Sequence, residues 1–512
     1  MIISPARGGT AKIVIALAAG CILLFLWNFA LPHYSSTIIH PENGGKAKPT
    51  GAEDEYKPGE FFQDAKPANA SRTVELNDTP PQEEIQEIAK KPTPTPVPAH
   101  EETATNTKCS EVKGADDVMV VLKTSAAEIY DKLPEHLLTL LACAPHHAIF
   151  SDLAGTFSGH NVYDALENVT AETRKEHDEF RFYDKIQQYG TEAQHLANLK
   201  GDTSKDLDKW KFLPMVYRAY KLRPATKFFV FIEDDTSLSW TNLLQWLSRL
   251  DARIPLYAGA PSNVGDLRFA QRGGGYLISN AAMKLYANAY EQRYATKWEK
   301  RTASECCGDV MLAIALDDAH VEFYSAFPLL QGESVASLDW TDRHWCAPAV
   351  SWHHMDSNEI DMVWNFQQSW VKDHGWQTPY LVKHAFTSFV SPRLSPDRAA
   401  WDNLSQDTRI KKPADNAAIE DTVNWNGLSE AEKNATASFA NCRKQCEAKE
   451  QCLQYKYRQG EKECVLGNVV RLGSAISEGG DKDTRSGWVV DRVNDMVKKW
   501  EPCAEPSWKF NQ

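Results

Sequence analysis

A chain of 512 residues with 42% hydrophobic side chains can bury a sizeable core, in one large domain or two smaller ones. Its formal net charge of -13 is spread over separated acidic residues. That excludes the concentrated basic face needed to grip phosphates along a strand, so no nucleic acid partner is expected. Sixteen Trp and seventeen Tyr supply flat faces of the kind sugar rings stack on, although large aromatics serve the core first.

In chain order, residues 1–12 read as a cytoplasmic tail and 13–31 as a transmembrane signal anchor. The run from Ile13 to Leu31 holds no charge, is long enough as a helix to cross the hydrocarbon slab, and follows Arg7 and Lys12. Residues 32–108 gather Pro, Glu, Lys, Thr and Ala and end in alternating prolines from Pro92 to Pro98, the pattern of an extended lumenal stem. These segments predict a single-pass type II protein of the Golgi or ER membrane, with the membrane as a partner through one span. Ten cysteines outside the apolar run form an even set that can pair in an oxidising lumen. Asn69, Asn77, Asn168, Asn403 and Asn434 each begin an Asn-x-Ser/Thr triplet, the glycosylation acceptor of the same compartment.

Order is expected from Cys109. Val118 to Leu122 is a short apolar run, followed by a helical stretch and then a second strand at Ala148 to Asp152. The pattern repeats with a helix over Leu213 to Leu222, a buried strand over Phe228 to Ile232, and Leu243, Leu247 and Leu250 at helical spacing. Such alternation predicts an α/β fold with a mostly parallel sheet and flanking helices, which binds ligands beyond the carboxyl ends of its strands. Met283, Tyr286, Ala287 and Tyr290 predict a core-facing helix that starts from Tyr276, and Val310 to Leu316 another, with Asp309 at its N-terminus.

Directly after Phe228 to Ile232 come Glu233, Asp234, Asp235 and Thr236. Adjacent carboxylates repel unless a cation sits between them, and hard oxygen ligands suit Mn2+ or Mg2+ carrying a diphosphate. On spacing alone, three acids are as compatible with a solvated loop. Four further blocks follow in order: Tyr-Ala-Gly from Tyr257, Phe-Ala-Gln-Arg-Gly-Gly-Gly-Tyr from Phe269, Glu-Cys-Cys-Gly-Asp-Val from Glu305, and Val-Ser-Trp-His-His-Met-Asp from Val350.

In order and spacing these blocks resemble glycosyltransferase family 31, the fringe and core 1 β1,3-galactosyltransferase group, and most closely its fungal-type members. The resemblance spans about Cys109 to Asn403 and implies a GT-A-type Rossmann-like catalytic domain over 109–402. It implies an inverting enzyme that moves a sugar, with galactose the leading donor, from a UDP-sugar to a glycan or glycoprotein acceptor in β1,3 linkage. It places a Mn2+ or other divalent ion on Asp235 and His353, with Glu233 a weaker or water-mediated ligand, since Glu stands where the family has Asp. It implies Asp309 as the base that deprotonates the acceptor hydroxyl; read from the residues alone, Asp309 is a helix cap. Thr124, Asp152, Lys209 and Asp234 become donor contacts, and Gly273, Gly274, Gly275, Tyr276 and Trp352 lie near sugar or acceptor. Arg272 departs from the family's glycine. Cys109 with Cys143, and Cys346 with Cys306 or Cys307, are the implied bridges; a zinc site of Cys306, Cys307, Cys346 and His353 is the rival reading.

From Trp425 to the end the chain is polar and carries Cys442, Cys446, Cys452, Cys464 and Cys503. This spacing resembles a reduced PAN/apple-like module over 425–512, small enough to lean on disulfides. An alternative to the enzyme is a glycan-binding or scaffold protein of the secretory pathway that keeps the fold and has lost turnover, in view of Glu233, Arg272 and the appended module.

Overall fold

The structure is a computed structural model that describes residues 107–201, 203–413 and 424–508. The expected tail, the apolar run Ile13 to Leu31, nearly all of the stem, and Asn69 and Asn77 lie outside the described residues. The expected fold class, an α/β domain with a membrane helix attached, is corrected accordingly. Among the described residues no helix is long and apolar enough to cross a membrane, and what they form is a mixed α/β fold. The longest of these helices, Ser357–His374, interleaves Glu359, Asp361, Lys372 and Asp373 with its buried positions, as a surface helix must.

Strands in chain order are β1 (Val118–Lys123), β2 (His147–Ser151), β3 (Gly155–Phe157), β4 (His160–Asp164), β5 (Phe228–Glu233), β6 (Ser237–Leu238), β7 (Tyr257–Gly259), β8 (Pro261–Val264), β9 (Leu267–Ala270), β10 (Tyr276–Ser279), β11 (Phe323–Ser325) and β12 (Ser351–Trp352). Eight of them form one sheet in the order β11-β7-β10-β5-β1-β2-β4-β3. Its centre is parallel, β5 to β1 to β2 to β4, and β10 enters antiparallel between β5 and β7. The period of two sorts side chains to opposite faces. Val118, Val120, Leu122, Phe228, Val230 and Ile232 pack into one core layer, and Met119, Val121, Phe229 and Phe231 into the other. Burial on both faces is why these strands read as unbroken apolar runs.

Helices α1 (Ile129–Leu138), α2 (Phe180–Thr191), α3 (Phe212–Leu222), α4 (Trp240–Leu247), α5 (Asn280–Arg293), α6 (Gly308–Asp318) and α7 (Ser357–His374) cover the sheet faces and edges. Met283, Tyr286, Ala287 and Tyr290 on α5 are all buried, as their spacing requires. Tyr276 is not on that helix: it opens β10, stacked on Phe231 with ring centroids 4.8 Å apart. Leu250 lies beyond the end of α4.

The C-terminal region does not begin at Trp425. Strands β13 (Arg398–Ala399), β14 (Trp401–Asp402), β15 (Thr408–Lys411), β16 (Gln454–Arg458), β17 (Glu463–Gly467), β18 (Ser474–Ala475) and β19 (Thr484–Trp488) include three that precede it. They build a five-stranded sheet, β13-β19-β16-β17-β15, beside a β14-β18 ladder. One apolar cluster mixes Trp340, Trp352 and Phe386 with Val470, Trp488 and Val493, so the two regions share a core. Cys109 bonds Cys143, Cys442 bonds Cys464 and Cys446 bonds Cys452. Cys346 bonds Cys503, 157 residues away, and neither Cys306 nor Cys307, both of which are free thiols. That pairing also removes Cys346 from the zinc alternative.

A bridge closing so long a loop restrains the unfolded chain strongly. Cys503→Ser is expected to cost about 2–5 kcal/mol, read as a lower midpoint in denaturant without reductant. A midpoint equal to that of the unaltered chain would contradict the Cys346–Cys503 bridge.

Candidate active site

The acidic segment follows β5 because that strand ends at Glu233 and the chain must turn before β6. The turn is held by Thr236, whose Oγ1 accepts from the Glu233 N–H at 3.1 Å and donates to the Gly273 carbonyl at 2.8 Å. β6 then pairs antiparallel with β12, Ser237 opposite Trp352 and Leu238 opposite Ser351. This two-rung ladder delivers the residues after β12 to the acids after β5.

His353 Nε2 lies 3.4 Å from Asp235 Oδ2, and His354 Nδ1 lies 3.7 Å from the same oxygen. The His353 Nδ1–H donates to the Gly332 carbonyl at 3.2 Å, which turns Nε2 towards Asp235. His354 takes φ +56°, unusual for a residue with a side chain, and its ring stacks on His353 at 3.6 Å between centroids. Burial alone would push the Asp235 carboxyl up, but hydrogen bonds from both imidazoles, and their charge, hold it well below the usual carboxylate range.

One ligand atom from each of Asp235, His353 and His354 falls within 4.8 Å of the others. Two further features suit a divalent cation. Asp235 Oδ1 is buried with no hydrogen-bond partner, a vacancy that costs free energy unless something positive fills it. A Cβ added to Gly273 would sit 1.8 Å from His353 Nε2, so the glycine keeps the ligand nitrogen clear. Two imidazole nitrogens with a carboxylate oxygen suit a divalent first-row metal ion.

Glu233 does not join this cluster. Its Oε1 lies 3.0 Å from Lys123 Nζ and 3.3 Å from Arg272 Nε, so it serves two cations. Asp234 turns the other way: the Thr124 hydroxyl donates to its carboxylate, and burial pushes its pKa up to about 7 against that bond. Asp152 is 1% exposed and holds Lys211 Nζ at 2.9 Å and the Ala126 N–H at 2.7 Å. Together Lys123, Thr124, Lys211, Glu233, Asp234 and Arg272 line a pocket of about 140 Å³.

Asp309 sits in the first turn of α6, where Cys307 takes the N-cap position. Its Oδ2 accepts the Arg272 N–H at 3.2 Å and its Oδ1 the Val310 N–H at 3.0 Å. Sequence reasoning gives the helix N-terminus as favouring the ionised form. In the fold, burial is the larger effect and raises the pKa, with Arg272 opposing it.

The remaining expected contacts divide. Gly273, Gly274 and Gly275 pass beside the cluster, Gly275 at φ +79°. Ser351 Oγ donates to the Gly274 carbonyl at 2.6 Å. Trp352 and Tyr276, 1% and 3% exposed, are core residues with no face left for a sugar. Lys209 points to Glu179 and the Ala303 carbonyl, outside the pocket. The lysines that do line the pocket, Lys123 and Lys211, were missed, as was His354 as a ligand candidate. A lysine closing the all-buried run Val-Met-Val-Val-Leu-Lys was a readable signal.

No protein-family model matches this chain, and no curated protein matches it.

Gly273→Ala forces a methyl into the space beside His353 Nε2. It is expected to weaken Mn2+ binding about 10–100-fold, the usual effect of disturbing a ligand's support, measured by calorimetric titration. Unchanged affinity would separate the glycine turn from the metal.

Proposed function

We propose that this chain is an inverting, metal-dependent glycosyltransferase of the family 31 kind, transferring a sugar, galactose first among candidates, from a UDP-sugar to a glycan or glycoprotein in β1,3 linkage. The observation that carries this reading is the Asp235, His353 and His354 cluster at the carboxyl end of β5, next to a pocket lined by Lys123, Lys211 and Arg272. The four disulfides among the described residues fit an oxidising compartment such as the Golgi or ER lumen.

Asp235, His353 and His354 would hold the Mn2+, and Glu233 would not. When bound, the ion supplies Lewis-acid stabilisation of the negative charge that grows on the departing diphosphate. Lysine and arginine heads beside it add fixed positive charge for the same phosphate oxygens. Thr124 and Asp234 form a hydrogen-bonded wall beside the donor, and the glycine turn lets a sugar approach the backbone.

Asp309 is the base. An acceptor hydroxyl attacking the anomeric carbon loses its proton to the carboxylate, and the diphosphate leaves from the opposite face. Burial strengthens that base, because a carboxylate with a raised pKa holds a transferred proton more firmly. The Arg272 N–H fixes the orientation of Oδ2.

The test is release of UDP from UDP-galactose, with and without Mn2+, by the full chain and by Asp309→Asn. Turnover is expected to need the metal and to fall about 10²–10⁴-fold in the variant, with UDP affinity unchanged. Glycan binding with no turnover under any donor would favour the scaffold reading instead. Because the base must be ionised, the rate should climb with pH through a midpoint above the ordinary Asp value of about 3.9. A flat profile from pH 4 to 8 would remove Asp309 from the role.

A further inference from the structure

Three cationic heads converge on one carboxylate at the rim of the pocket. Asp208 Oδ1 is 2.6 Å from Lys123 Nζ and 3.5 Å from Lys211 Nζ, and Oδ2 is 3.9 Å from Arg272 Nη1. Lys123 and Lys211 are 8% and 1% exposed, so water does little to stabilise their charge and an anion must.

Each of the three has a second acid. Lys123 and Arg272 share Glu233, and Lys211 holds Asp152. Those two acids are fixed by the sheet: Glu233 ends β5 and Asp152 follows β2. Asp208 instead closes the short helix Thr203–Asp208 and belongs to no strand. It is the acid that all three heads share, and its departure leaves each of them its sheet-held partner. The other acids lining the pocket are engaged elsewhere, Asp234 with Thr124 and Glu128 with Ser125.

We infer that Lys123, Lys211 and Arg272 form a phosphate-binding site, and that the Asp208 carboxylate fills it as an internal stand-in until a diphosphate displaces it. A phosphate offers the same charge-assisted oxygen acceptors as a carboxylate, with more charge and one more oxygen. Exchange of Asp208 for a diphosphate gains interaction with all three heads while Glu233 and Asp152 continue to hold them. Once Asp208 swings out, the three heads lose the acid they share and turn their free N–H groups to the ligand, with Asp309 still facing Arg272. The inference rests on reading the pocket as the donor site, and it adds a competing residue to that site.

The measurement is calorimetric titration of the full chain with inorganic pyrophosphate in the presence of a chelator, so that no metal contributes. Asp208→Asn removes the competing charge and should bind pyrophosphate about tenfold more tightly, while Arg272→Met and Lys123→Met should bind about tenfold more weakly. Thermal unfolding of each variant is recorded alongside. Unchanged or weaker binding by a folded Asp208→Asn chain overturns the inference, and so does an Asp208→Asn chain that fails to fold, because Asp208 would then be an obligatory counter-ion. If the expected binding pattern appears with no metal-dependent sugar transfer, the enzyme reading fails and this one stands. If transfer is metal-dependent and Asp208→Asn leaves pyrophosphate binding unaltered, only this one fails.

Discussion

The site depends on a ladder two residues long. β5 delivers its acids to the end of the sheet whatever follows, but Asp235 meets an imidazole only because β6 turns back and pairs with β12, more than a hundred residues later. Side chains at the start of each strand then tie in the glycine turn: Thr236, just before β6, donates to the Gly273 carbonyl and Ser351 of β12 to the Gly274 carbonyl. Two hydroxyls thus bind three distant segments into one object. The Asp235 carboxylate, the His353 ring and the clearance beside Nε2 are set by the same few hydrogen bonds, so a shift in any one moves the others.

Electrostatics sorts the three adjacent acids into three environments. Asp235 is held ionised by two imidazoles, Asp234 is pushed towards neutrality by burial, and Glu233 is spoken for by Lys123 and Arg272. Neighbouring carboxylates avoid mutual repulsion because successive residues point to different partners. Arg272 links this region to Asp309, its side chain facing Glu233 and its own N–H held by the Asp309 carboxylate. A glycine at 272 would keep the backbone bond to Asp309 and lose the guanidinium that faces Glu233.

What could be read from sequence follows from locality. The strands β1, β2 and β5 and the helices α3, α5 and α6 were visible because a run of apolar residues or a helical spacing is written within a dozen positions. Asp235 and His353 could be paired only through the resemblance, since nothing local says that β12 will lie against β6. Choices between near neighbours failed where facing decides: Lys209 and Lys211 are two residues apart, and only the second turns to the pocket. The resemblance puts Trp352 near sugar or acceptor, but it is the inward residue of a strand whose next position faces the acids. The Cys346–Cys503 bridge, and the pairing of three strands from before Trp425 with strands beyond it, are long-range facts with no local signature.

The central claim is that one cation is held between Asp235 and the two imidazoles. Electron paramagnetic resonance of Mn2+ titrated into the full chain counts bound ions directly and needs no knowledge of the substrate. One tight site is expected, lost in Asp235→Asn and in His353→Ala and retained in Glu233→Gln. Binding that survives the first two changes, or that vanishes only with Glu233, would contradict the account.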